Sequence, residues 1–320
     1  MRMLHIRVEQ LLWKEMLMPN WNDVLVELKK EGEEGPVDRV RRKYLANLSK
    51  YTKRNTIAYY SGWLQKPGIF NAGIIDADIN GFMTTIHQLD KEKGLDLILH
   101  TPGGDLAATE SIVRYLRNIF KINIRIIVPH LAMSAGTMIA CAGKEILMGA
   151  HSNLGPIDPQ FNGISAEGVL EEFKRAKEET SRDPRTIPMW QMIISKYHPT
   201  FIGDCEKAID WSKTIVSDWL KTGMFKDDED ADTKVEAILK VLASHEATSS
   251  HARHISADNC KQMGLKITKL EEVDKKLQDL ILTVHHAYMH TFYQTNAIKI
   301  IENHIRRALV NLIAQPPQRK

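Results

Sequence analysis

Short apolar runs alternate with segments of helical periodicity through the middle of the chain. Leu97–Leu99 and Ile124–Val128 are Leu-rich or β-branched runs of the length expected for strands covered on both faces. From Thr56 onward, such runs alternate with helical segments, which indicates parallel βαβ units and a mixed or parallel sheet. The predicted strands are Thr56–Gly62, Leu95–Thr101, Ile124–Pro129 and Glu145–Met148, and the predicted helices are Ile79–Glu92, Leu106–Phe120 and Ala135–Ala142.

Both flanks of this region have helical patterns. Residues 1–54 are predicted to form a helical N-terminal extension, and an α/β domain is predicted over residues 55–270. Residues 271–320 are predicted to be a C-terminal helical segment, whose long apolar face makes it a candidate oligomerisation element. Further predicted helices are Val8–Met18, Val24–Lys30, Met189–Tyr197, Phe201–Leu220, one beginning over Lys234–Leu242, and one long helix over Val273–Ala314, with a short edge strand at Leu265–Thr268.

Composition places the chain among ordinary folded proteins. Its 320 residues are 43% hydrophobic and 26% charged, which excludes a disordered, collagen-like or low-complexity chain. The net charge of +3 is too small to predict binding to nucleic acid or to a membrane surface. No run of apolar residues is long enough to predict a membrane span or a signal peptide. The three cysteines lie far apart, so a reducing, cytoplasmic compartment is expected.

Two strand-to-helix turns carry the residues suited to chemistry, His100–Asp105 and Ala132–Thr137. Small residues allow a sharp turn, and the N–H groups that begin the next helix can hold a developing oxyanion. One helix and one strand separate Gly104 from Ser134, so adjacent parallel strands would bring both turns to the same sheet edge. This geometry suits acyl transfer by Ser134. The alternative is two tight turns without chemistry, in which Ser134 is only a helix N-cap.

Four segments together resemble, in order, the Clp-fold serine peptidases of the serine dehydrogenase proteinase group, which are related to signal peptide peptidase A and the Clp protease subunit. These segments are Leu97–Gly104, Ile126–Thr137, Cys141–Met148 and Asn153–Gln160. The resemblance covers residues 56–160 strongly and 255–279 weakly. It implies an α/β fold of the ClpP/crotonase type, a spiral of ββα units, with a serine peptidase domain over residues 55–270.

The resemblance also implies roles for individual residues. Ser134 would be the nucleophile, with an oxyanion hole formed by backbone N–H groups of Gly103 or Gly104 and of Ala135. The Clp subunit has a histidine base where this sequence has Asp158. An aspartate has a reference pKa of about 3.9, too low for this base, so Asp158 is expected to orient a base or to begin a turn.

The identity of the base stays open between lysine and histidine. Signal peptide peptidases use a lysine, which must be desolvated to be neutral. Lys174 and Lys177 lie among glutamates and are expected to be solvated, whereas Lys196 has apolar neighbours and is favoured. The histidine candidates match no base position of the family: they are His100, His130 and His151.

A second group of histidines could ligate a metal by spacing alone. His286 and His290 lie one helical turn apart, and His245, His251 and His254 form a cluster in sequence. Because no acidic or cysteine residues accompany them at matching spacing, we expect surface histidines, no metal and no cofactor.

Three hypotheses of function follow. The leading one is a metal-independent serine peptidase that acts on peptide or protein substrates, with a lysine base and a homo-oligomeric assembly. The second is a non-catalytic protein of the same fold that binds a peptide or a partner protein in the cleft. The third is acyl-CoA chemistry on the related crotonase fold, which needs no serine nucleophile, so the turn around Ser134 argues against it.

Overall fold

The structure is a computed structural model that describes residues 21–30, 36–243 and 250–313. The predicted helix at Val8–Met18 lies outside these residues. All four strands predicted in the central region are present, each within one residue of its predicted bounds. The strands are β1 Asn55–Ser61, β2 Leu95–His100, β3 Ile124–Val128, β4 Leu131–Ala132, β5 Glu145–Met148, β6 Asn153–Leu154, β7 Gln160–Phe161, β8 Ile164–Ser165, β9 Ile255–Ser256, β10 Ile267–Lys269, β11 Ala297–Asn303 and β12 Ala308–Leu312.

Seven of these strands form one sheet, in the order β10, β5, β3, β2, β1, β11 and β12. Neighbouring strands from β10 to β1 run parallel, while β11 pairs antiparallel with β1 and β12 antiparallel with β11. This confirms the predicted α/β class with a largely parallel sheet. In the register, Leu97 lies opposite Ile126, so the turns that follow β2 and β3 emerge at the same edge.

Helices cover both faces of the sheet. Leu97 and Leu99 pack against helices on one face, and Ile98 between them packs against helices on the other face. Burial of one such side chain is worth about 1.5–3 kcal/mol, so coverage of both faces fixes the strand register. The helices are α1 Trp21–Lys30, α2 Pro36–Thr52, α3 Asp78–Ile86, α4 Leu106–Phe120, α5 Ala135–Cys141, α6 Ala166–Arg182, α7 Ile187–Ile194, α8 Phe201–Trp219, α9 Ala231–Leu242, α10 Ala257–Gln262 and α11 Lys275–Gln294.

A smaller helical part lies beside the carboxyl edge of the sheet. Helices α6 and α8 pack on one another around Ala166, Val169, Cys205 and Ile209. The chain enters this part through the β7–β8 hairpin, whose turn residues Asn162 and Gly163 both have positive φ. One side of α8 therefore faces the sheet edge at which the two turns emerge.

The prediction of one helix over Val273–Ala314 is wrong in its second half. The helix ends at Gln294, and β11 and β12 follow as an antiparallel hairpin. β11 pairs with β1 over five residues and is buried along its whole length. The β-branched residues Ile298, Ile300 and Ile301 suit a strand covered on both faces. The apolar face of α11 packs on the sheet of the same chain, so it belongs to the core.

Candidate active site

Ser134 lies at a sharp turn between β4 and α5. Its φ of 52° is uncommon for a residue with a side chain and marks a constrained backbone. The turn is closed by a hydrogen bond from the N–H of Gly136 to the carbonyl of Met133, 2.8 Å long. Ser134 occupies the N-cap position of α5, but its side chain makes no capping hydrogen bond. The N-cap alternative requires the Ser134 hydroxyl to cap the helix, and it does not do so.

The turn after β2 packs directly on Ser134. Gly103 and Gly104 have φ of 101° and 153°, which side chains rarely permit. A Cβ atom on Gly103 would lie 2.6 Å from the Cβ of Ser134 and 3.1 Å from the backbone nitrogen of Ala135. Only glycine leaves that space open beside the serine.

Backbone hydrogen bonds determine which N–H groups of this turn are free. The N–H of Gly103 donates to the hydroxyl of Thr101 at 3.2 Å, and the carbonyl of Gly103 accepts from the N–H of Ile74 at 2.7 Å. Since the carbonyl and the N–H of one planar peptide point in opposite directions, the N–H of Gly104 points away from Ile74. Within the described part of the chain, neither Gly104 nor Ala135 has an acceptor for its N–H. These two groups are the candidate oxyanion hole.

The two turns are also joined to each other. Thr101 donates its N–H to the carbonyl of Leu131 at 3.1 Å and accepts from the N–H of Met133 at 3.0 Å. These bonds hold the strand before Ser134 against the strand before Gly103. The structure therefore brings Ser134, Gly103, Gly104 and Ala135 together, as the spacing of the two motifs predicts.

Asp158 pairs with His251, a histidine that the sequence predicts to lie on the surface. The Nδ1 atom of His251 lies 2.7 Å from Oδ1 of Asp158, whose side chain is fully buried. When Nδ1–H donates to this carboxylate, Nε2 of the neutral ring is free to accept a proton. The other carboxylate oxygen of Asp158 is buried without a partner among the described residues. The carboxylate thus fixes the orientation of the His251 ring.

A cavity of about 560 Å³ contains both Ser134 and Asp158 in its lining. It lies between the sheet edge and α8, and Gly104 and Ala135 also line it. Two charged residues of α8, Asp204 and Lys207, stand at its exposed side. Its apolar walls are formed by Leu106, Met138, Ile157, Phe161 and Trp211.

Lys196 lies elsewhere. It follows the end of α7, its side chain is exposed, and it lines a different cavity together with Tyr197, His198 and Phe201. The apolar neighbours that predict a desolvated lysine do not bury it. Lys174 and Lys177 are exposed on α6, as expected. The structure therefore does not bring Lys196 into the cavity that holds Ser134.

Of the remaining histidine candidates, His100 and His130 lie beside α11 on the other face of the sheet, and the ring of His151 contacts the carbonyl of Pro129. His100 alternates with Leu99 and faces α11, where it lies 5.4 Å from His285 between ring centres. Burial lowers the pKa of both rings well below the usual histidine value, so they are neutral at pH 7. Across the described residues, no cluster of histidine, cysteine or acidic side chains could hold a metal ion. The three cysteines are all buried and unpaired.

The sequence matches a known family over most of its length. The family described as ClpP-like SDH-type serine proteinase matches residues 62–303, so the chain belongs to this family. An uncharacterized protein of Methanocaldococcus jannaschii is 30% identical over 204 residues, which cover 64% of this chain and 61% of that protein. A second uncharacterized protein of the same organism is 27% identical over 224 residues, covering 70% and 68%. The chain therefore spans about three fifths of the first relative.

Helix hydropathy adds one observation: none of the helices in residues 21–30, 36–243 and 250–313 is long and apolar enough to cross a membrane.

Proposed function

We propose that this protein is a serine peptidase that forms an acyl-enzyme at Ser134. The observation that carries the proposal is the position of the Ser134 turn beside the N–H groups of Gly104 and Ala135, which have no acceptor among the described residues. A substrate carbonyl carbon next to the Ser134 hydroxyl would have its oxygen beside these donors. Removal of one such donor typically costs about 2.7–4 kcal/mol of transition-state stabilisation.

We propose His251 as the general base, with Asp158 as the residue that orients it. In acylation, Nε2 of His251 takes the Ser134 proton while Oγ bonds to the substrate carbonyl carbon. The C–N bond then breaks, and the proton passes from His251 to the departing amine. In deacylation, water gives a proton to His251 and its oxygen to the acyl carbon, and Ser134 leaves with that proton.

Lys196 stays the second candidate for the base. A lysine base must be desolvated, and the side chain of Lys196 is exposed to solvent. Its exposure and its separate cavity therefore count against this role. His251 does not line the cavity of Ser134 either, but its partly buried contact with Asp158, which does line that cavity, supports a histidine.

The cavity also indicates the kind of substrate. Its walls are mostly aliphatic and aromatic, so burial of an apolar side chain of a peptide next to the scissile bond would be favourable. We propose peptides or extended protein segments with an apolar residue on the acyl side of the cleaved bond. Non-catalytic binding of such a peptide in the same cavity is the alternative.

Covalent labelling separates catalysis from binding. A fluorophosphonate probe should label the wild-type protein and fail to label Ser134→Ala, and peptide mapping should place the adduct on Ser134. The matched control is Ser165→Ala, which changes a serine that caps α6 in the adjacent hairpin and should be labelled normally. A wild-type protein that is not labelled, yet binds apolar peptides, would support the non-catalytic alternative.

A further inference from the structure

A buried ion pair lies close to the glycine turn but outside the cavity. Lys299 in β11 and Asp78 in α3 have side chains exposed by 1% and 0%. The Nζ atom of Lys299 donates to both carboxylate oxygens of Asp78 at 2.9 Å, and the hydroxyl of Tyr59 donates to the same carboxylate at 2.7 Å. None of the three residues lines the cavity of Ser134. The steps of peptide cleavage described above use none of them.

Lys299 and Asp78 also form hydrogen bonds with the backbone on either side of Ile74. Lys299 donates to the carbonyl of Gly73 at 2.5 Å, and Asp78 accepts from the N–H of Ile75 at 3.0 Å. The lysine thereby holds one peptide and the aspartate holds the next one. Ile74 is fixed between them.

Ile74 in turn holds the glycine turn through two hydrogen bonds. Its N–H donates to the carbonyl of Gly103 at 2.7 Å, and its carbonyl accepts from the N–H of Asp105 at 2.9 Å. The contact is close, because a Cβ atom on Gly73 would lie 2.9 Å from the Gly103 carbonyl oxygen. The first of these bonds is the one that directs the N–H of Gly104 away from Ile74.

Tyr59 provides a second connection. Besides its bond to Asp78, its hydroxyl interacts with the side chain of Thr101, which in turn accepts the N–H of Gly103. Both peptide groups that flank Gly103 are therefore connected to the same buried carboxylate, one through Ile74 and one through Thr101.

Stability alone does not account for this arrangement. Desolvation of two buried charges costs several kcal/mol, and well-packed apolar residues of similar volume often serve as well or better. An apolar pair would, however, leave the carbonyl of Gly73 and the N–H of Ile75 without these partners. The charged side chains therefore supply these two backbone hydrogen bonds, which an apolar pair cannot form.

We propose that Lys299, Asp78 and Tyr59 are positioning residues that fix the Gly103–Gly104 peptide with its N–H directed into the oxyanion hole. This inference rests on the proposed peptidase function. Without the ion pair, the N–H of Ile74 is no longer held in place to donate to the Gly103 carbonyl. The Gly103–Gly104 peptide is then free to rotate. The oxyanion then loses a donor, whereas the cavity walls that bind the substrate side chain are unchanged.

The experiment compares Lys299→Met with Glu302→Gln. Glu302 lies on the same strand and also forms a fully buried ion pair, with Arg41, but on the opposite face of the sheet. The readouts are kcat and KM for a peptide with an apolar residue at the cleavage site, affinity for a peptide boronic acid, and thermal unfolding. A boronic acid forms a tetrahedral adduct with the serine and places an oxygen in the oxyanion hole, so its affinity reports that hole.

Lys299→Met is expected to lower kcat and boronate affinity by about 10²–10³-fold, with KM changed less than about threefold. Glu302→Gln is expected to lower the unfolding temperature while keeping kcat and boronate affinity near the wild-type values. Tyr59→Phe preserves the buried ring and should lower kcat several-fold, which keeps the test informative if Lys299→Met does not fold.

Full boronate affinity in folded Tyr59→Phe and Lys299→Met would overturn the inference, and so would an equal loss in Glu302→Gln. A wild-type protein that neither reacts with the fluorophosphonate nor binds the boronate would overturn the proposed function itself. Measurements on the wild-type protein therefore distinguish failure of the proposed function from failure of the inference about the ion pair.

Discussion

Asp158 and His251 form a hydrogen-bonded pair that joins positions 93 residues apart, with 2.7 Å between Nδ1 and Oδ1. Asp158 stands where the Clp subunit, by resemblance, has its histidine. The histidine of this chain comes from the segment just before β9. The hydrogen bond therefore joins the position of that histidine to a histidine from a distant part of this chain.

Replacement of His251 by Ala should lower kcat by about 10²–10⁴-fold, because the Ser134 proton then has no base to accept it. Asp158→Asn should also lower kcat, since an amide can stabilise the wrong tautomer of the ring. Steady-state peptide hydrolysis measures both. Lys196→Met is the control and should keep near wild-type kcat. Full activity in His251→Ala together with loss in Lys196→Met would assign the base to the lysine.

Gly103→Ala should reduce peptide hydrolysis by about 100-fold or more. The new methyl group would lie 2.6 Å from the Cβ of Ser134, and the residue would retain a φ of 101° that alanine disfavours. The control is Gly68→Ala, at a φ of 76° with no atom of the described residues within 4 Å of the new methyl group. Gly68→Ala has a similar backbone cost, about 1 kcal/mol, without an effect on kcat. Equal activities of the two variants would contradict the close packing of the two turns.

Acid should destabilise the protein in a defined pH window. Burial and neighbouring histidines lower the pKa values of His100 and His285, and burial lowers the pKa of His286 to about 4. The unfolded chain binds protons near pH 6.5, before the folded chain does, so the free energy of unfolding rises with pH. This stability is present above pH 6.5 and is lost as the pH falls towards 4.

Urea unfolding at pH 7.5, 6.5, 5.5 and 4.5 measures this dependence. His130 and Tyr60, which contact the histidine cluster of His100, His285 and His286, are left unchanged in all variants. His285→Phe should make the curve flatter, whereas replacement of the exposed His198 by Asn should not. If the free energy of unfolding has the same slope against pH in His285→Phe as in the wild-type protein, the histidine cluster is not the cause of the pH dependence.

The protein is predicted to self-associate, but not through α11. The strand β12 forms one edge of the sheet, and its Val310 and Leu312 are 38% and 60% exposed. An unpaired edge strand with apolar residues favours pairing with another chain. Light scattering should give a mass above 36.5 kDa, and Val310→Lys with Leu312→Lys should lower it. A wild-type monomer at micromolar concentration would exclude self-association.

Local sequence predicts the parts of the site that are built locally. The turns at Gly103–Gly104 and Ser134 follow strands directly, and each depends on small residues within a few positions, so their conformation and their meeting at one edge could be predicted. The contact of Asp158 with His251 could not, because it depends on how the chain returns across the whole helical part. The only signal available was the aspartate at a position where related proteins have a histidine.

The sequence does not predict strand β11, for a different reason. Ile298, Ile301 and Ile305 recur at helical spacing, and the strand also carries Lys299 and Glu302 facing the interior. Charged residues in a buried strand break the pattern by which strands are predicted. Their partners, Asp78 and Arg41, are more than two hundred residues away, so only the folded chain explains them.

The late position of β11 in the chain has a consequence for the order of synthesis. Every strand from β1 to β10, with Ser134 and the glycine turn, is translated before Lys299. A nascent chain that has not yet reached Asn303 leaves the edge of β1 unpaired and Asp78 without its cation. On the proposed role of the ion pair, such a chain has a serine but no ordered oxyanion hole. Proteolytic activity would then begin only when translation has passed the strand that completes the sheet.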